Sequence, residues 1–93
     1  MEESTLEILR ERRERIDEID SAIVSLLAER FRITNQVGQL KKAHQLSAID
    51  ENRERAQFSA IAQLATKAGL DPVFANKFLR CIIDEVAQNH KKL

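Results

Sequence analysis

From Ser4 to Ala43 the sequence contains no proline and a single glycine, Gly38. Leucine, alanine, glutamate and arginine, all good helix formers, supply much of the stretch. Gly38 costs about 1 kcal/mol relative to alanine, too little to stop such a run. A continuous helix here would be about 60 Å long, at about 1.5 Å per residue. The rest of a 93-residue chain cannot wrap a helix of that length. The run therefore calls for a partner chain, which would also remedy the marginal stability of so short a sequence.

Numbered by sevens, one seam of this helix reads Leu6, Leu9, Arg13, Ile16, Asp20, Ile23, Leu27, Arg30, Thr34, Val37 and Lys41. The spacing alternates between three and four without a fault, as in a coiled coil. Ile19, Leu26, Ile33 and Leu40 widen the apolar face. Two further helices follow. Asp50 is a good N-cap for a segment running through Glu51 to Ala68, and Gly69 signals its end. Asp71-Pro72 then reads as an N-cap followed by proline at the first helical position, opening a third helix to about His90. The linker AHQLSAI between the first two helices is short and poor in breakers. With no convincing strand and no internal repeat, residues 1–93 read as a single all-α domain of three helices.

The seam carries four charges: Arg13, Asp20, Arg30 and Lys41. Buried charges are costly unless paired or given a ligand. They can snorkel out to solvent or pair across chains. Three cations against one anion on an apolar seam equally suit a buried anion site. Arg30 and Lys41 lie three turns apart, roughly 16 Å, so both side chains can reach one small ligand between them. Arg13, roughly 25 Å from Arg30 along the axis, cannot share that ligand within one straight helix. An antiparallel partner helix would bring Arg13 of the second chain opposite the stretch from Arg30 to Lys41. The two-fold axis would fall near Ile23 and Val24, generating two equal sites built from both chains.

The other helices add polar candidates. Capping and dipole effects account for Asp50 and Glu51 at a helix start, but Arg53 is unexpected there, since a cation is unfavourable near an N-terminus. Glu54 shares a face with Gln57, Ile61, Leu64 and Ala68 and is expected to point inward. Ala75, Leu79, Ile82, Ile83 and Val86 form the apolar stripe of helix three, which His90 closes with a polar group. That histidine also fits a satisfied terminal residue favoured by the helix dipole.

The bulk numbers narrow the function. Fifteen basic and fifteen acidic residues balance, which argues against nucleic acid or an anionic membrane as the main partner. The lone Cys81 makes no intrachain disulfide, fits a reducing compartment, and reads as a small buried apolar residue. His44 and His90 make no zinc spacing. The charged N-terminus lacks the apolar core of a signal peptide, and no apolar run approaches a membrane span. A cytoplasmic protein without metal or cofactor is the expectation.

In order along the chain stand Arg13-x-x-Ile16-Asp17-x-Ile19-Asp20, Leu26-Leu27-Ala28-Glu29-Arg30, Val37-Gly38-x-x-Lys41 and Asp50-x-x-Arg53-Glu54. This pattern resembles the all-helical chorismate mutase family, without gaps, from about Leu6 into the last helix. The resemblance implies an intertwined homodimer with antiparallel first helices, converting chorismate to prephenate without a cofactor. It implies that Arg30 binds the ring carboxylate and that Arg13, from the other chain, binds the side-chain carboxylate. Lys41 would contact that carboxylate and the ether oxygen of the breaking bond. Asp50 and Glu54 would hold the ring hydroxyl, and Arg53 would line the site and pair with these acids. Chorismate is a dianion, and its unimolecular rearrangement needs orientation and charge stabilisation rather than a nucleophile.

Two positions depart from the family pattern. Many members carry a serine on helix three and, four residues later, a glutamine or glutamate that donates to the ether oxygen. Those positions here are Val86 and His90. Val86 cannot hydrogen-bond, so one carboxylate contact is lost or moved. His90 would donate when protonated, or through one N–H when neutral. An isochorismate pyruvate-lyase on the same fold, a mutase of an amino-substituted chorismate and a non-catalytic helical dimerisation module remain as rivals. Added dicarboxylate ligand would raise the thermal stability of an enzyme but not of a bare dimerisation module. A larger shikimate-pathway partner that activates the chain is a further expectation from the resemblance. The expected dimer is tested by sedimentation, where a dilute and fully active monomer would rule it out.

Overall fold

The terminal signals of the sequence place the helices. The computed structural model describes residues 2–93 and contains α1 (Glu3–Ala43), α2 (Glu51–Ala68) and α3 (Pro72–Lys91), with no strand among the described residues. The two short helices are closed by specific caps. Asp50 Oδ1 accepts from Arg53 N at 3.0 Å, and Asp71 Oδ1 accepts from Val73 N at 2.9 Å with Pro72 at the first helical position. Gly69 ends α2 with φ 76°. Its N–H donates to Thr66 O and that of Leu70 donates to Ala65 O, the paired bonds of a Schellman motif.

The same motif ends α1 without a glycine. Gln45 takes φ 55°, its N–H donates to Lys42 O, and Leu46 N donates to Lys41 O at 2.8 Å. A left-handed non-glycine residue costs roughly 1 kcal/mol, which the satisfied carbonyls and the turn they make offset.

The described residues divide into two units, one up to Ile33 and one from Thr34 to Leu93. In the first unit no residue is buried, and only Leu27, Arg30 and Phe31 are half-buried. Exposed ion pairs such as Arg10–Glu14 and Arg15–Glu18, both 3.0 Å, dress its surface and contribute little. The seam residues Leu6, Leu9, Ile16 and Ile23 are all exposed, as are Ile19 and Leu26. Among the described residues of α1, Gly38 alone is buried.

In the second unit α2 packs on α3. Ala65 of α2 and Ala75, Leu79 and Ile82 of α3 are the buried apolar residues. Helix three follows its expected stripe, with Ile83, Val86 and His90 half-buried beyond Ile82. Helix two is rotated from expectation. Glu54, Gln57 and Ile61 are half-buried as the sequence suggests, but Leu64 is 59% exposed and Ala68 is exposed. Phe58, Ala62 and Ala65 take the inward places. The small Ala65 and Ala75 permit close helix approach, which a leucine facing α3 would prevent. Cys81 is also exposed rather than buried, since it lies about 100° round the helix from Ile82. No described helix is long and apolar enough to cross a membrane.

Leu79→Ala should cost about 2–5 kcal/mol in chemical denaturation, whereas Leu64→Ala should stay within about 0.5 kcal/mol of the parent. Equal losses at both positions would contradict the rotation of α2.

Candidate active site

Within the second unit the last turns of α1 meet the end of α3, and Gly38 sits at the meeting point. A β-carbon there would stand 2.7 Å from His90 Cδ2 and Nε2 and 2.8 Å from Leu93 Cδ1. The missing side chain lets the imidazole rest on the α1 backbone. His90 Nε2 then donates to the Thr34 carbonyl at 2.8 Å. A carbonyl oxygen only accepts, so Nε2 carries a hydrogen in this contact. Lys42 Nζ donates to Leu93 O at 2.6 Å and fixes the residues after α3 to the same turn of α1.

These contacts frame a cavity of about 260 Å³, slightly below the roughly 300–1,000 Å³ usual for ligand clefts. Gly38, Lys41 and Lys42 line it from α1, Leu46 and Ala48 from the linker, and His90 and Leu93 from the other side. Two ammonium groups and an imidazole in one small apolar-walled space suit an anionic oxygen-rich ligand.

The structure thus brings together Lys41 and His90 among the residues singled out by sequence. Asp50, Arg53, Glu54 and Val86 do not line this cavity. Asp50 caps α2, and Arg53 meets it through its backbone N–H. The expected pairing of the Arg53 side chain with the acids is replaced. Arg80 Nη1 lies 3.4 Å from Glu54 Oε1, while Arg53 is exposed. Val86 is half-buried one turn before His90. Arg13, exposed, and Arg30, half-buried, belong to the first unit. The Nε2–H of His90 is taken up by Thr34 O.

The sequence assigned no site role to Lys42, Leu93 or Arg80, and took Gly38 only as a helix-weakening residue within a motif. Gly38 carried a further signal, since a glycine inside a 41-residue helix suggests a close approach. Lys42, Leu93 and Arg80 carried none.

Comparison with known proteins decides the family. The family model for chorismate mutase type II matches residues 12–91. The chain belongs to the chorismate mutase type II family. It is 32% identical to the T-protein of Haemophilus influenzae over 89 residues, which is 96% of this chain and 24% of that protein. It is 30% identical to a chorismate mutase of Methanocaldococcus jannaschii over 79 residues, covering 85% of this chain and 80% of that one. A 4-amino-4-deoxychorismate mutase of Streptomyces pristinaespiralis is 28% identical over 76 residues, 82% of this chain and 59% of that protein. The chain thus spans about a quarter of the T-protein and most of the Methanocaldococcus enzyme. The match takes in Lys41, His90 and every other residue lining the cavity except Leu93.

Gly38→Ala should leave stability little changed, because the His90 ring and the Leu93 tip can swing aside while alanine restores about 1 kcal/mol of helix propensity. It should nonetheless abolish the protected Nε2–H resonance of His90 in NMR. An unaltered resonance would refute the close packing.

Proposed function

We propose that the chain, as a single domain and a homodimer, rearranges chorismate to prephenate. We place the reaction in the cytoplasm, on the route to phenylalanine and tyrosine. The observation that carries this reading is the cavity shared by Lys41 and His90 within the family-matched segment. The uncovered apolar seam of α1 supports the dimer, and Cys81 as a free thiol suits a reducing compartment.

The rearrangement breaks the ether C–O bond while a C–C bond forms, and negative charge grows on the ether oxygen. Catalysis then consists of holding the compact conformer and stabilising that oxygen. Arg30 would bind the ring carboxylate, and Arg13 of the partner subunit the side-chain carboxylate. Lys41 would donate to that carboxylate and to the ether oxygen. Asp50 keeps one oxygen on its cap and would offer the other, with Glu54, to the ring hydroxyl. Arg53 would line the site near the acids. Val86 cannot hydrogen-bond to the substrate. His90 would donate to the ether oxygen through a ring N–H other than the one that meets Thr34 O.

The Streptomyces relative supports an amino-substituted chorismate as a second substrate reading, and a lyase acting on isochorismate is a third.

The experiment is to incubate the protein with chorismate, isochorismate and 4-amino-4-deoxychorismate separately and identify products by chromatography. Prephenate from chorismate, reduced by about two orders of magnitude or more in Lys41→Ala, is expected. Pyruvate and salicylate from isochorismate with slow chorismate turnover would replace the mutase reading by the lyase. Faster turnover of the amino compound would move the substrate assignment. His90→Gln should lower chorismate turnover, and parental turnover in the variant would remove His90 from the mechanism.

A further inference from the structure

Arg80 has three neighbours and no role in the reading above. Its guanidinium lies over the Phe58 ring, with Cζ 4.7 Å from the ring centroid. Its Nη1 is 3.4 Å from Glu54 Oε1 and 3.8 Å from Asp84 Oδ1. Phe58 and Glu54 stand on α2, Arg80 and Asp84 on α3, so the cluster bridges the two helices. A guanidinium presents its N–H donors in its own plane, and one over a ring face is restrained by that face. Phe58 thus restrains the fork, and the fork meets one oxygen of Glu54. Glu54 is one-third exposed and Arg80 about half exposed. A pair so wet adds little to stability, but it limits the rotamers open to a glutamate in the first turn of α2.

We propose that Arg80 is a positioning residue for Glu54, holding Oε1 so that Oε2 is presented to a hydroxyl of the substrate. This rests on the assignment of Glu54 to the ring hydroxyl in the proposed mutase reaction. Arg80 takes the part that the sequence suggested for Arg53. Its reach across from α3 ties the carboxylate to the helix that also carries His90, so both polar ends of the substrate would be set from α3. Asp84, on the outer side, competes for the same guanidinium and keeps it from folding over the carboxylate as a two-oxygen clamp.

The test is a double-mutant cycle read as KM and kcat for chorismate, with the melting temperature of each variant. Arg80→Gln should raise KM about three- to tenfold while kcat and melting temperature change little, because the lost contact orients a group that binds ground state and transition state alike. Arg80→Lys, which keeps the charge and loses the plane, should recover part of the loss. Glu54→Gln should raise KM, and adding Arg80→Gln to it should produce no further rise. An additive loss in the double variant, or an Arg80→Gln protein with parental KM, would overturn the assignment of Arg80 while leaving the mutase reading in place. A parent protein that turns over no chorismate would overturn the mutase reading, and this assignment with it.

Discussion

The His90 ring rests where a side chain at position 38 would otherwise stand, 2.7 Å from that β-carbon position, and donates to a carbonyl within α1. That contact places an imidazole beside two lysines and fixes which ring nitrogen carries hydrogen. It also explains why the chain accepts a helix-weakening residue near the end of its longest element. The energy given up in helix propensity, about 1 kcal/mol, is comparable with the net worth of one hydrogen bond. The balance is thus nearly neutral for stability and wholly consequential for geometry. An alanine would stabilise α1 and close the space in which the chemistry is proposed to occur.

A second constraint is the thinness of the core. Among the described residues four apolar ones are buried, two of them alanines. At about 25 cal/mol per Å² of buried apolar surface, so small a set cannot offset the ordering of some ninety residues at about 1–2 kcal/mol each. The apolar seam of α1 holds the reserve. Covered by a second copy, it would supply the missing burial, and the cations on the seam would be enclosed with it. Folding and substrate binding would then draw on the same surface, which makes sense of cations such as Arg13 and Arg30 standing on an otherwise apolar stripe.

Both ends of α2 and the start of α3 were legible in the sequence because each has a local cause: Asp50 and Asp71 as caps, Pro72 at a first turn, Gly69 in the left-handed conformation. The stripe of α3 was legible for the same reason, a strict three-and-four spacing. The inward face of α2 was not. Leu64 and Ala65 differ by about 100°, and hydrophobicity alone favours the leucine, whereas the closeness of two helices favours the alanine, which only the partner helix reveals. Lys41 and His90 were found by charge on an apolar stripe. Arg80 was invisible because its partner Glu54 lies twenty-six residues away in sequence. The hydrogen on Nε2 of His90 was equally hidden, since nothing in the sequence ties residue 90 to the carbonyl of residue 34.

The turn that ends α1 joins two things usually treated apart. The carbonyl of Lys41 accepts the N–H of Leu46, so the backbone that carries the ammonium also anchors the linker whose Leu46 and Ala48 wall the cavity. Cation and wall are joined through one backbone hydrogen bond, so a substitution that upset the left-handed turn at Gln45 would displace both at once.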